Sequence, residues 1–293
     1  MELFKDESNA KLYVGDVFDI HEVLDPDSIE SIIADPDNSD TATQPDLWSR
    51  CYQVLKPGGH LLVFGGTAHP HRITCAVEDA GFEIRDCIIW MYGNSANATV
   101  HPGYEPIVVA RKPCEGSCID NVLKYGVGGI NIDACRVMGD DTKELQKNWV
   151  DRKAPGGFNG DKTGIYGSGQ IDHFDEYTPD GRFPSNIILT YDDSTYQEVC
   201  GNMPDSNVPA IVGYDDSGCA SRYFYCAKIT DKDSGNIKPC ELFQYLIRMV
   251  TPQGGKILAP FHDQIINKAC VCENEERQAG YTYIGISPRR DEA

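Results

Sequence analysis

Apolar positions in the first third of the chain recur alternately at strand and helix spacing. Lys11 to Val14 and Ile29 to Ala34 read as short strands, the second running straight into Asp35-Pro36. After Thr43 and Pro45, the residues Leu47, Cys51 and Leu55 fall at helical spacing with Trp48 and Tyr52 beside them, and Lys56-Pro57-Gly58-Gly59 predicts the end of that helix. Leu61 to Phe64 is a continuous apolar run of the type found in buried parallel strands. Ile73, Ala76, Val77 and Ala80 predict a second helix stopped by Gly81, and strands follow over Phe82 to Met91 and Pro106 to Ala110. Such alternation predicts a doubly wound α/β sheet.

From about residue 115 to 220 the texture changes to clusters of Gly, Asp, Asn and Ser, clearest at Pro155-Gly156-Gly157-Phe158-Asn159-Gly160. This stretch reads as an inserted, loop-rich module with a few strands, such as Ser185 to Thr190. Regular patterning returns with a helix bearing Leu242, Leu246, Met249 and Val250, a strand at Lys256 to Phe261, a helix through Ile265 to Arg277 and a strand at Tyr281 to Ile286. The expected organisation is therefore a sheet domain in two halves, 1–114 and 229–293, split by an insertion at 115–228.

At 293 residues and 41% hydrophobic content the chain has material for a sizeable core. No run approaches the roughly 18 to 20 apolar residues that span a bilayer, and the start MELFKDESNA lacks the features of a signal peptide, so a soluble, cytoplasmic protein without a membrane partner is expected. Of the twelve cysteines, Cys51, Cys75, Cys87 and Cys226 sit in apolar segments, as reduced core thiols do. Cys114 with Cys118, or Cys270 with Cys272, lacks a partner pair at the spacing of structural zinc sites, and no metal is expected.

The charge changes the picture more. With 26 basic against 45 acidic residues the formal net charge is −19, and residues 1 to 40 alone hold twelve Asp or Glu against two Lys. A protein gripping DNA phosphates by itself normally presents a basic face, so strong DNA binding by this chain alone is not expected. Solubility, adaptation to a salty cytoplasm, docking to a basic partner protein and imitation of DNA charge all remain open explanations.

Several long stretches, in one order, carry a family resemblance. They are Val54-Leu55-Lys56-Pro57-Gly58-Gly59-His60-Leu61-Leu62-Val63-Phe64-Gly65-Gly66-Thr67, then Glu78 to Asp86, then Glu105-Pro106-Ile107-Val108-Val109-Ala110-Arg111-Lys112-Pro113. Gly181 to Asn186, Ala220 to Lys228 and Lys238-Pro239 continue the series. Over nearly its whole length the chain resembles the beta-class S-adenosylmethionine-dependent DNA amino-methyltransferases, especially adenine-specific members from phages and prophages. The resemblance implies a Rossmann-like methyltransferase sheet in permuted order, with the catalytic tetrapeptide first, the target-recognition insertion next and the cofactor loop last. It also implies dimerisation and a bacterial or phage-infected host cell.

In that family the tetrapeptide Asp-Pro-Pro-Tyr ends a strand; its Asp carboxylate and first Pro carbonyl accept hydrogen bonds from the target amine, and its Tyr stacks on the flipped base. Here the corresponding residues are Asp35, Pro36, Asp37 and Asn38. Both acceptors are retained but the aromatic face is gone. Stacking contributes about 1 to 3 kcal/mol, so this loss alone slows or weakens the reaction by roughly 10 to 100-fold.

The family's cofactor loop is Asp-Pro-Phe followed by a Gly- and Ser-rich turn, because backbone must approach the methionine part of the cofactor. This chain has Ala259-Pro260-Phe261-His262-Asp263-Gln264-Ile265-Ile266, without a glycine. After Gly285-Ile286, Ser287 stands where the family places a Glu that holds the ribose hydroxyls. The resemblance assigns Asp16, Lys238, Ala259, Pro260, Phe261, Gly285 and Ser287 to the cofactor side. Charge-assisted bonds contribute about 1.5 to 3 kcal/mol each, so the replacements predict that ordinary cofactor binding fails and that side chains fill the turn. No cofactor is therefore expected, or S-adenosylmethionine if the chain is active.

Arg182, Arg222 and Lys228 are candidates for nucleic-acid contact, with Tyr223, Phe224 and Tyr225 beside them as core aromatics. His69, His71 and His262 have no nucleophile or metal set around them and read as surface or loop residues. Three functions are weighed: an inactive homologue serving as scaffold or target-recognition subunit of an active DNA methyltransferase, which reaches DNA through that partner; an active but atypical adenine methyltransferase; and an acidic inhibitor or DNA mimic acting on a host restriction or modification protein.

Overall fold

The computed structural model describes residues 1–36, 40–66, 69–92, 103–137, 181–191, 224–229 and 238–288. Ten strands form one sheet: β1 (Glu2–Glu7), β2 (Ala10–Val14), β3 (Ile29–Ala34), β4 (Leu55–Phe64), β5 (Glu83–Met91), β6 (Tyr104–Arg111), β7 (Ile187–Tyr191), β8 (Tyr225–Lys228), β9 (Lys256–Ala259) and β10 (Thr282–Ser287). Their spatial order is β1-β2-β10-β9-β3-β4-β6-β5-β7-β8. The run β2-β10-β9-β3-β4 is parallel, whereas β6 pairs antiparallel with both β4 and β5. Late strands thus sit between early ones, which is the permuted Rossmann-like methyltransferase sheet that the motif order implies.

Helices cover both faces, so the central strands are buried on two sides and alternate between two cores. On β4, Leu61 and Val63 join a core with Leu47, Trp48 and Cys51 of α1 (Pro45–Val54) and Ile73, Ala76 and Val77 of α2 (Pro70–Asp79). Leu62 and Phe64 point the other way, towards Phe243, Leu246 and Ile247 of α4 (Cys240–Val250) and Ile266 and Ala269 of α5 (Gln264–Arg277). Strands β3, β9 and β10 obey the same period of two: Ile33, Ile257 and Tyr283 enter the second core, and Ile32, Leu258 and Ile284 the first.

The helix α1 ends at Val54, just before Lys56 to Gly59 as expected, and those residues run on as the first part of β4, with Gly58 at φ +78, where an added Cβ would lie 2.2 Å from Asn121 Nδ2. Two local expectations are corrected. Residues 118–125, inside the stretch read as loop-rich, form the helix α3 (Cys118–Tyr125). Its Ile119 and Leu123 are 74% and 81% exposed, so it has no apolar stripe facing a core. Capping holds it instead: Ser117 Oγ accepts the Asp120 N–H at 3.1 Å, Gly126 closes the last turn, and buried Asn121 donates to the Pro57 and Val127 carbonyls. Cys75 and Cys87 are exposed rather than core thiols, because turning Ile73, Ala76 and Val77 inward leaves Cys75 on the solvent side of α2.

The insertion supplies β7 and β8, which extend the sheet beyond β5 in parallel. The glycine-rich stretch from Pro155 to Gly160 lies outside the described residues. Tyr225 stacks on Tyr245 at 3.9 Å and 11°, as the core reading of that aromatic requires, and Tyr223 lies outside the described residues. All described cysteines are free thiols, and among the described residues no cluster of three or more His, Cys, Asp or Glu could hold a metal. Among them, too, no helix is long and apolar enough to cross a membrane.

Candidate functional site

From β9 the chain crosses to β10 on one side, and from β3 to β4 on the other, so the carboxyl ends of β9 and β3 flank the point where the strand order reverses. Open α/β sheets place ligands in such crevices. A cavity of about 680 Å³ lies there, lined among others by Asp16, Phe18, Asp35, Pro36, Ser287 and the turn Pro260-Phe261-His262. Asp16 is held by its own turn, accepting the Phe18 N–H at 3.0 Å.

Asp35 ends β3 with its side chain only 7% exposed. Lys238 Nζ donates to both of its oxygens, at 2.7 and 2.6 Å, and reaches Glu105 at 3.2 Å. The same ammonium lies 4.4 Å from the centroid of the Phe64 ring, and Glu105 also accepts the Gly66 N–H at 3.1 Å. Burial pushes the Asp35 carboxyl up to about 6, against the opposing pull of Lys238, while Glu105 and Asp263 add to the rise. Burial works to lower Lys238, but Asp35 and Glu105 outweigh it and hold the amine above its ordinary range. Lys238, expected on the cofactor side, thus clasps the Asp35 carboxylate. Glu105 opens the stretch Glu105 to Pro113, and nothing in its sequence neighbourhood signals that it shares an ammonium with Asp35.

The turn after β9 is closed by its own hydrogen bonds. The His262 N–H donates to the Ile286 carbonyl at 2.8 Å, the Asp263 N–H to the Tyr283 hydroxyl at 3.3 Å, and the Ile265 N–H to Asp263 Oδ1 at 2.6 Å, which caps α5. The His262 ring is 2.7 Å from the Tyr283 hydroxyl through Nδ1, and burial lowers its basicity while Asp263 opposes that shift. Phe261 meets Trp48 edge-on at 6.5 Å. The ring of His262 lies over Gly285, where an added Cβ would stand 2.7 Å from His262 Nδ1, 2.8 Å from Tyr283 Cε1 and 2.9 Å from Leu12 Cδ2. Gly285→Ala is therefore expected to destabilise the fold by about 1–3 kcal/mol through overpacking, read as a shift in the urea midpoint. Adding His262→Ala should recover part of the loss, because the tightest clash disappears.

His262 is seated against Gly285 and Tyr283, and the cavity of about 680 Å³ lies beside it. Ala259, in place of the leading acid, is buried in the second core, and Ser287 is buried at the end of β10 with its carbonyl accepting the Gly15 N–H at 3.0 Å. The residues present fit the nucleoside half of S-adenosylmethionine, with an acid and aromatic rings at hand. The N–H groups of His262, Asp263 and Ile265 are engaged within the protein.

Asp37, Asn38 and Arg222 lie outside the described residues. Arg182 pairs through its backbone with Val137, and the Lys228 N–H donates to Glu241 at 2.8 Å; neither lines the cavity. His69 precedes α2, with its ring 6.2 Å from that of His71, also away from the cavity.

Residues 42–286 match the model of a DNA methylase family. Among curated proteins, the Type II methyltransferase M.HindIII of Haemophilus influenzae is 31% identical over an alignment of 115 positions; the match spans 29% of this chain and only 37% of that protein. Among solved structures, the PvuII DNA methyltransferase, cytosine-N4-specific, superposes with a TM-score of 0.54 at 13% identity, covering 99% of this chain and 86% of that one. M1.HpyAVI gives 0.50 at 13% identity over 97% and 94%. These likenesses agree with the Rossmann-like α/β fold.

Proposed function

The chain belongs to the DNA methylase family, and we propose that within it this protein is a member that does not transfer methyl groups alone, but acts as a scaffold or target-recognition subunit of an active DNA methyltransferase. One observation carries the reading. Ala259 and Ser287 stand where the family carries the acids of its cofactor motif, and both are buried, while the sheet around the site is complete. The charge of −19 suits contact with a more basic subunit and opposes independent binding to DNA phosphates. The target amine meets a further obstacle, because both oxygens of Asp35 are already engaged by Lys238.

A second reading, an active but atypical adenine methyltransferase, draws on the cavity of about 680 Å³ with Asp35 and Pro36 at its wall. The two readings diverge in a simple assay. Purified chain incubated with radiolabelled S-adenosylmethionine and DNA should give counts no higher than a blank, and co-expression with a sibling methyltransferase should yield a stable complex whose activity depends on this chain. Methyl incorporation by the chain as sole catalyst rejects the first reading in favour of the second.

A further inference from the structure

The segment that leaves β6 brings two cysteines together at the border between the sheet and the insertion. β6 ends at Arg111, and Asn121 of α3 donates to the Pro57 and Val127 carbonyls, which seats that helix against β4. Cys114 precedes α3 and Cys118 opens it. Cys118 Sγ donates to the Gly128 carbonyl at 3.3 Å, and a Cβ built on the same Gly128 would lie 3.6 Å from Cys114 Sγ. The two thiols also share a hydrogen bond with each other. The Arg111 guanidinium acts on both sulfurs while donating to the Gly128 carbonyl at 3.3 Å. Cys118 is exposed and Cys114 half-buried, both as free thiols.

The other closely spaced pair, Cys270 and Cys272, lacks this arrangement. Two positions apart on α5, they point to different sides of the helix, and Cys270 is buried. Between Cys114 and Cys118 the surroundings divide the labour. Burial pushes the Cys114 thiol up, and Cys118 and Glu83 add to the rise against the pull of Arg111. Cys114 is thus the thiol that keeps its proton, and exposed Cys118 is the one that a dissolved oxidant reaches first.

We propose that Cys114 and Cys118 form a redox-convertible dithiol, which hydrogen peroxide closes into an intramolecular disulfide and an added dithiol reopens. Cys118, as its thiolate, attacks one peroxide oxygen; the O–O bond breaks, and the departing hydroxide takes up the thiol's proton as water. Cys114 then attacks the sulfenic acid left on Cys118. The S–S bond forms, the S–O bond breaks, and the leaving hydroxide takes the Cys114 proton. Two thiols lose two electrons and the peroxide gains them. Closure removes the Cys118 donor from the Gly128 carbonyl, which retains Arg111, and ties the first turn of α3 to the segment leaving β6. Nothing in this chemistry requires methyl transfer, so the modification is independent of the activity of the site at Asp35.

The test is oxidation of the full chain with a small molar excess of hydrogen peroxide, followed by alkylation of the remaining thiols, trypsin digestion and mass spectrometry. Cleavage after Arg111 and Lys124 leaves both cysteines in the peptide 112–124, because the Lys112-Pro113 bond resists trypsin. That peptide should be lighter by two hydrogen atoms and take no alkyl group, and dithiothreitol should restore both alkylation sites. Cys75 and Cys87, exposed thiols elsewhere on the surface, should still be alkylated at the same dose. In Cys114→Ser, Cys118 should stop at the sulfenic acid and be captured by dimedone; in Cys118→Ser, Cys114 should stay reduced. A parent peptide that still takes two alkyl groups after peroxide overturns the proposal, whatever happens at Cys75 and Cys87. So does a sulfinic acid on Cys118, or a disulfide from either residue to a second chain, in place of the internal bond.

Discussion

Lys238→Ala is expected to lower the unfolding free energy by about 3–5 kcal/mol, the cost of breaking a buried ion pair by removing one partner. The size follows from what remains. Asp35 and Glu105 would face each other across a largely buried site with no cation between them, and the Phe64 ring would lose the charge above it. Deleting the ammonium is thus worse than never having had the pair. Asp35→Asn in the Lys238→Ala background should recover a substantial part of the loss, since it removes one stranded charge. Urea unfolding of the parent, the single variants and the double variant measures the coupling directly. A loss below about 1 kcal/mol for Lys238→Ala would place the pair with ordinary surface bridges and remove its structural role.

The second large effect is a pair of opposing pH dependences. His60 on β4 is 2% exposed, and its Nδ1 has no hydrogen-bond partner among the described residues. Burial, aided by Arg111 and Arg85, drives its pKa down from 6.5 to about 4. A base with a depressed folded pKa contributes stability that is fully present above pH 6.5 and is lost as pH falls towards 4. At about 1.4 kcal/mol per unit this amounts to about 3 kcal/mol. Asp35 behaves oppositely, because its carboxyl rises from 3.8 to about 6. Its contribution is present below pH 3.8 and is lost as pH rises through 6, and it is again about 3 kcal/mol.

Between pH 4 and 6 the two contributions offset in the parent protein. Relative to the parent, His60→Leu should therefore lose stability as pH rises through that window, and Asp35→Asn should gain it. Urea midpoints at four or five pH values check both signs. Parallel curves for parent and variants would mean that neither group titrates as its surroundings dictate.

The strands and helices of the sheet were legible in the sequence because their apolar residues keep a strict period. Ile32 to Ala34, Leu61 to Phe64 and Leu242 to Val250 each face a core in the structure. Elements that bury little were not legible. β1 is exposed along its whole length, and α3 is held by caps and by Asn121 rather than by an apolar face. At the site, Asp35 and the turn after β9 were found because each lies within a contiguous motif. The clasp on Asp35 was not, since Lys238 stands 203 positions away in the chain and Glu105 is brought beside it only by the pairing of β6 with β4. The packing of His262 against Gly285 was equally hidden, because it joins the turn after β9 to the middle of β10 and no local pattern encodes it.

The place of β9 and β10 between β2 and β3 also constrains how the chain is made. Until β9 and β10 have left the ribosome, β2 and β3 each present an unpaired edge, and the β1–β2 hairpin has no described strand but β10 to join it to the rest. Closure of the sheet is then a late, non-local event, slow by the loop-entropy argument. A nascent or truncated chain that ends before β9 displays two adhesive borders at the centre of the molecule, where aggregation or capture by a chaperone would begin.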